Sequence, residues 1–180
     1  MAEGTADRLG GPDPLQLLLT VAQQNVAEGG RPFACVIVRD GEVLAAQPNR
    51  VAQTRDPTAH AEVLAIRDAC LALGSEDLTG CDVYIVAEPC PMCLSALYYA
   101  SPDRVRYLVR RADYHQYYTD DRRYFRFAGL YQEIGKPLEQ RALPMEPVAA
   151  SGGIDVFKAW YERSVAAREE HTTVTNGDAS

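Results

Sequence analysis

Two short stretches of this chain carry residues able to bind and use a metal ion: His60-Ala61-Glu62, and then Pro89-Cys90-Pro91-Met92-Cys93. One histidine and two cysteines supply three ligands of a tetrahedral zinc and leave the fourth position to a water, which is the pattern of a catalytic site rather than a structural one. Cys90 and Cys93 stand three apart at a predicted helix start, so their sulfurs share one face and the positive end of the helix favours both as thiolates. His60 adds a neutral nitrogen from the start of another predicted helix. Glu62, two residues further on, is free to meet the water instead of the metal. Coordination acidifies that water towards neutrality, and a carboxylate beside it can take the proton and return it to a leaving group.

A Cys-x-x-Cys alone also fits a redox pair, half of a structural zinc site, or two core thiols. The upstream His-x-Glu, the proline directly before the first cysteine and the helix starts on both sides weigh towards catalysis. A zinc fold without activity is the remaining alternative, and it would have no use for Glu62.

With 180 residues, 47% of them hydrophobic, the chain can build one domain with a proper core and is short for two. The expected domain covers residues 14–170. Met1–Asp13 and His171–Ser180, polar and rich in small residues, are predicted to be disordered. No run is long enough to cross a bilayer, and Met1–Pro14 lacks the basic start and apolar stretch of a secretory signal, so a cytoplasmic location is expected. Of five cysteines, Cys35, Cys70 and Cys81 lie in apolar segments and read as reduced core thiols. A formal charge of −7 speaks against a general nucleic-acid binder, which needs a basic face.

Helices and strands alternate along the pattern. Pro14–Glu28 has apolar residues at helical spacing and is stopped by Gly29-Gly30. Phe33–Val38 and Glu42–Ala46 flank Asp40-Gly41 and read as a hairpin, followed by a loop over Gln47–Pro57. Thr58–Leu73 is predicted helical and carries His60 and Glu62, with Gly74 ending it. Asp82–Ala87 is a strand that runs into the cysteine motif, Pro91–Ala100 the helix beyond it, and Arg104–Val109 a further strand. After that the signals weaken. Ala112–Tyr118 has a helical pattern, Asp120–Lys136 is irregular, Arg141–Pro147 suggests a short strand, and Ile154–Glu170 a last helix. Such alternation belongs to layered α/β folds, where ligands collect at the strand ends that feed helix starts.

Histidine-x-glutamate followed by proline-cysteine-x-x-cysteine is the signature of the zinc nucleobase deaminases. From about Leu17 to Trp160 the chain resembles the cytidine deaminase superfamily, and within it the bacterial guanine deaminase family. The stretches that carry the likeness are Asp56-Pro57-Thr58-Ala59-His60-Ala61-Glu62, Glu88-Pro89-Cys90-Pro91-Met92-Cys93 and Tyr131-Gln132-Glu133-Ile134. The first two are shared with tRNA adenosine and cytosine deaminases. Asp120-Asp121, the Tyr131 segment and Phe157-Lys158-Ala159-Trp160 point more narrowly to guanine deaminases.

The resemblance implies a three-layer α-β-α sandwich with a mixed five-stranded sheet and one zinc per chain held by His60, Cys90 and Cys93, with Glu62 as proton shuttle. It further implies that Asn49 hydrogen-bonds the base, that Phe33 packs against it, that the backbone N–H of Ala61 helps to hold it, and that Asp121 assists proton delivery to the departing amine. Family members of this type are homodimers that exchange C-terminal segments, and a homodimer is expected here. From the residues alone, Asn49 also fits a plain turn residue, Asp121 one charge in a solvated run, and Phe33 ordinary core. His115, Tyr117 and Tyr118 receive no role.

The chain departs from the family pattern at several points. Pro32-Phe33-Ala34 stands where proline-phenylalanine-glycine is usual, which suggests a tighter or shifted pocket. Arg122–Leu130 is longer than usual, Tyr99 replaces a tryptophan, and an extended tail replaces a C-terminal end that helps close the site. The expected reaction is hydrolytic deamination of a free nucleobase, guanine to xanthine and ammonia. The alternatives are another aminated heterocycle (a different aminopurine, cytosine, a pterin or an aminotriazine) or, from the cluster Arg104, Arg106, Arg110 and Arg111, an adenosine flipped out of tRNA.

Overall fold

The computed structural model describes residues 12–120, 122–125, 129–145, 147–148 and 152–175. The parts of the expected disordered ends at 1–11 and 176–180 lie outside the described residues, as do Asp121 and 126–128 of the long connection. Two compact units are present, 1–135 and 136–180. The first contains the sheet and all the residues discussed below as a site.

The first unit opens with α1 (Pro14–Ala27), started by Asp13, whose carboxylate accepts from the Leu15 N–H, with Pro14 in the first turn, where its missing N–H costs nothing. Strands β1 (Ala34–Arg39) and β2 (Glu42–Pro48) form the expected hairpin around Asp40-Gly41, whose φ values of 51° and 84° are those of a primed hairpin turn. A single turn, α2 (Val51–Thr54), interrupts the expected loop. Then come α3 (Ala61–Leu73), β3 (Cys81–Ala87), α4 (Pro91–Ala100), β4 (Arg104–Val109) and the short α5 (Arg111–Tyr114) and α6 (Leu130–Ile134). Helix α3 begins three residues later than the sequence pattern suggests. The Asp56 carboxylate accepts from both the backbone and the hydroxyl of Thr58, a local turn that competes with helix and leaves His60 at the boundary.

The sheet runs β2-β1-β3-β4, antiparallel on both sides of β1 and parallel between β3 and β4. Because strand side chains alternate, β1 feeds two cores at once. Cys35 and Ile37 join Val83 and Ile85 of β3 under Ala61, Ala65 and Ala69 of α3 and Leu97 and Ala100 of α4. Ala34, Val36 and Val38 turn the other way, to Leu18 and Ala22 of α1. The result is the expected three-layer mixed sandwich, but with four strands among the described residues instead of five. No strand forms over 141–145, and Pro144 in the middle and Pro147 at the end of the expected segment lack an N–H to donate to a ladder. In the second unit α7 (Gly153–Thr175) outlasts the predicted helix by several residues.

Cys35 and Cys81 are fully buried, as expected, and Cys70 packs against the same core but is only half-buried. All three are unpaired, and burial raises each thiol above its usual range, which keeps them unreactive. Among the described residues no helix is long and apolar enough to cross a membrane.

Asn25, buried in α1, ties two loops together. Its Nδ2 donates to the carbonyls of Arg31 (2.7 Å) and Asn49 (2.9 Å), and its Oδ1 accepts from Gln53 Nε2 at 2.9 Å. A Cβ on Gly30 would stand 2.3 Å from this amide, so only glycine lets the chain pass so close. Asn25→Ala is expected to cost about 2–3 kcal/mol, because it leaves buried polar groups without partners. A urea midpoint that does not move would contradict this reading of the network.

Candidate active site

His60 and Cys90 occupy the same position on two different helices. Each is an N-cap, of α3 and α4 respectively, with extended backbone (φ −71°, ψ 149° and φ −71°, ψ 164°), and neither side chain caps its helix. An N-cap is normally a Ser, Thr, Asp or Asn whose oxygen satisfies a first-turn N–H. Here the two side chains meet each other instead: Cys90 Sγ lies 3.7 Å and Cys93 Sγ 3.4 Å from His60 Nδ1. Cys93 reaches this point from the first turn of α4 and is fully buried.

These three side chains are the group among the described residues able to hold a metal ion, with ligand atoms all within 4.8 Å of one another. The spacing fits zinc. Bonds of about 2.3 Å to sulfur and 2.0–2.1 Å to nitrogen place tetrahedral ligand atoms roughly 3.5 Å apart, close to both sulfur–nitrogen distances. Two sulfurs and one nitrogen make a soft donor set that also suits this ion.

Glu62 sits in the first turn of α3, 8% exposed and lining the same cavity. Burial raises its carboxyl above the usual range, a shift that Cys90 reinforces and a backbone hydrogen bond partly offsets. Cys90 is held down to about 4 by the Cys93 thiol beside it, against the effect of burial and with help from His60. The same pairing, together with burial and Glu62, pushes Cys93 up. For His60, burial lowers the imidazole's affinity for a proton, but Cys90, Glu62 and Asp120 outweigh it and the net shift is upward. These shifts favour a thiolate at Cys90 and the protonated forms of Cys93, His60 and Glu62.

The cavity above this group has a volume of about 120 Å³ and is walled by Phe33, Asn49, Tyr114, Tyr118, Asp120 and Phe125, among others. Asn49 is 2% exposed, and its Oδ1 accepts from the Val51 N–H at 3.2 Å, so it shapes a turn and lines the pocket together. Phe33 also lines the pocket. Ala61 puts its methyl into the core under β1, and its N–H belongs to the first turn of α3, where backbone donors have no intrahelical acceptor. Asp121 lies outside the described residues; its neighbour Asp120 reaches the pocket. Ala34 does not. Its methyl packs towards α1 on the opposite face of the sheet, so the suggestion that it narrows the pocket fails because β1 alternates.

Sequence reasoning gives no role to Tyr114, Tyr118, Asp120 or Glu88, all of which line the cavity. The first two stand four apart just past the end of β4, where the sheet delivers its loops to the ligand, and that placement was the available signal. Glu88 joins the cysteine loop to the start of α5: its carboxylate accepts from the Arg111 N–H at 3.1 Å and faces the Arg111 guanidinium at 3.4 Å. Arg106 pairs with Asp82 at 2.7 Å and donates to the Tyr84 hydroxyl. Two of the four arginines weighed for RNA contacts are thus engaged within the chain.

Residues 13–109 match the family model of the cytidine and deoxycytidylate deaminase zinc-binding region. The guanine deaminase of Bacillus subtilis (strain 168) is 41% identical over 158 residues, spanning 87% of this chain and 96% of that protein. A crystal structure of B. subtilis guanine deaminase superposes with a TM-score of 0.74 at 41% identity, covering 83% of this chain and 92% of that one. A structure of guanine deaminase from Nitrosomonas europaea gives a TM-score of 0.56 at 27% identity, covering 69% and 74%. The tRNA-specific adenosine deaminase of Aquifex aeolicus (strain VF5) is 40% identical, but over 51% of this chain and 60% of its own. The metal-ligand geometry, the family model and the end-to-end likeness agree: this chain belongs to the cytidine and deoxycytidylate deaminase family of zinc-dependent hydrolases, on its guanine deaminase branch.

Proposed function

We propose that this chain hydrolyses guanine to xanthine and ammonia, with His60, Cys90 and Cys93 holding zinc and Glu62 moving the protons. The observation that carries the reading is Glu62, a buried carboxylate lining the same aromatic-walled cavity as His60 and Cys90. Its relatives named as guanine deaminases, alike over nearly the whole chain, support the choice of base.

Zinc, when bound, supplies a water acidified towards neutrality. Held by His60, Cys90 and Cys93, the ion would leave Glu62 to take the water's proton, and the carboxyl's upward shift, which brings it nearer to working pH, suits it both to accept and to give back. As the new C–O bond forms at the amino-bearing carbon, Glu62 returns the proton to the adjacent ring nitrogen. The C–N bond then breaks as the proton of the newly added hydroxyl passes, with the help of Asp121, to the departing amine, which leaves as ammonia and a carbonyl remains. Phe33 holds the flat ring, while Asn49 and the Ala61 N–H read its polar edge. Water and guanine become xanthine and ammonia with no other reactant. The RNA-editing alternative is weakened, since two of its four arginines, Arg106 and Arg111, are committed to partners in this chain.

We further infer a cytoplasmic homodimer with exchanged C-terminal segments. Tyr98 and Tyr99 of α4, Val105, Tyr107 and Leu108 of β4, and Phe157 and Trp160 of α7 are all exposed, and so much unpartnered apolar surface calls for a cover. Light scattering after size exclusion is expected to give the mass of two chains; a single-chain mass at micromolar concentration would refute the dimer.

Zinc uptake must displace protons from Cys93 and His60, whose affinities for them are raised, and none from Cys90 above about pH 5. The sign follows: groups that hold protons more tightly weaken metal binding as pH falls. Apparent zinc affinity is expected to climb about tenfold or more per pH unit between 6 and 8, with proton release visible by calorimetry in buffers of different ionisation enthalpy. A pH-independent affinity would contradict the ligand assignment.

Zinc-loaded protein is expected to form xanthine from guanine. Glu62→Gln should retain zinc and fold while losing on the order of 100-fold or more in kcat, the usual size of a general acid–base contribution. Asn49→Ala should raise KM more than it lowers kcat, since a ground-state contact is lost. Absence of xanthine where another heterocyclic amine reacts would overturn guanine; loss of zinc in Glu62→Gln would overturn the shuttle.

A further inference from the structure

We propose that Tyr118 is a substrate-contacting, specificity-determining residue, and that Arg31 and Asp120 form the latch that positions it. The substrate side of this proposal rests on the deaminase reading above, whereas the latch rests on geometry alone.

Four phenylalanine and tyrosine rings, Phe33, Tyr114, Tyr118 and Phe125, line the cavity that contains Glu62. Phe33 and Tyr118 pack edge to face, with centroids 4.9 Å apart and planes at 81°, and Tyr114 meets Phe33 from 6.1 Å at 75°. This is the preferred arrangement of aromatic quadrupoles, and all three rings also line the cavity. Phe33 is fixed by its place before β1. Tyr118 has no such support, since it follows α5 in a stretch without regular secondary structure, and one turn bond to the Tyr114 carbonyl (3.1 Å) holds its near side.

Arg31 supplies the far side. Its Nη1 lies 3.2 Å from Asp120 Oδ2, and its guanidinium carbon stands 6.0 Å from the centre of the Tyr118 ring. Asp120 also faces Arg122 at 3.3 Å. The side chains of Arg31 and Asp120 are only 25% and 20% exposed, so solvent screens their attraction less than it would a surface pair. Arg31 is itself anchored, because its carbonyl accepts from the buried Asn25. A chain of contacts thus runs from the core of α1 through Arg31 and Asp120 to the ring of Tyr118 at the wall of the pocket. What the pocket asks of Tyr118 is its ring, so the hydroxyl should be dispensable.

The test uses the zinc-loaded full chain with guanine, in wild type, Tyr118→Ala, Tyr118→Phe, Arg31→Ala, Asp120→Ala and the Arg31→Ala/Asp120→Ala double variant. Zinc content and circular dichroism serve as controls. Tyr118→Ala is expected to raise KM by about 3- to 12-fold, the scale of one aromatic contact, with kcat within about twofold, and Tyr118→Phe to stay within about twofold in both. Arg31→Ala and Asp120→Ala should each raise KM, the double variant no more than either alone, as expected for one shared interaction. Trypsin cleavage after Arg122 and Arg123, read by mass spectrometry, should quicken by about threefold or more in Arg31→Ala as the segment loosens. Unchanged KM in Tyr118→Ala, or an equal loss in Tyr118→Phe, would overturn the ring contact. Additive latch variants or unaltered cleavage would overturn the latch. If the wild type forms no xanthine but deaminates another heterocyclic amine, the guanine reading fails by itself, and the same ratios measured with that amine decide the role of Tyr118.

Discussion

The site depends on two helix starts that give up their own capping. His60 and Cys90 occupy N-cap positions with the right backbone for the task, yet each sends its side chain to the other helix's side chain rather than to its own first turn. Each forgone cap costs about 1 kcal/mol of helix stability. In return the sulfur and nitrogen donors converge at one point, and Glu62 follows from the same turn as His60. Both helix starts also direct their positive ends to a place where thiolates and a carboxylate must be tolerated.

Packing of the sheet makes that sacrifice possible. Ala61, Ala65 and Ala69 let α3 lie close over β1 and β2, and Cys35, Ile37 and Ala45 fill the space beneath. On the other face α1 grips Val36 and Val38, and Asn25 fastens the loops that bear Phe33 and Asn49. Burial on both faces of β1 makes its register hard to slip, since a one-residue shift would exchange the two cores. The strand β1 thus sits between a helix that carries Glu62 and begins at His60 and a helix that supports the loops from the other face.

The parts of this arrangement legible in the sequence were the local ones. The Asp40-Gly41 hairpin, Pro91 at the start of α4 and the His-x-Glu and Cys-x-x-Cys spacings each follow from one or two residues and their neighbours. The start of α3 was misread because the Asp56–Thr58 turn competes with helix over the same residues. Ala34 looked important from its place beside Phe33, but alternation along β1 turns it to the other core. Tyr118 and Asp120 could not be placed at all, because what fixes them is an ion pair to Arg31 across 89 positions of sequence, and no local pattern announces such a pair.

X-ray absorption at the zinc edge of the loaded protein tests the central claim most directly. An open site built on His60, Cys90 and Cys93 predicts two sulfur neighbours at about 2.3 Å and two nitrogen or oxygen neighbours at about 2.0–2.1 Å, one of them water, with an identical shell in Glu62→Gln. A third sulfur, or a light-atom neighbour that vanishes when Glu62 is replaced, would mean that the site is closed or that Glu62 is a ligand, and either result would contradict the account.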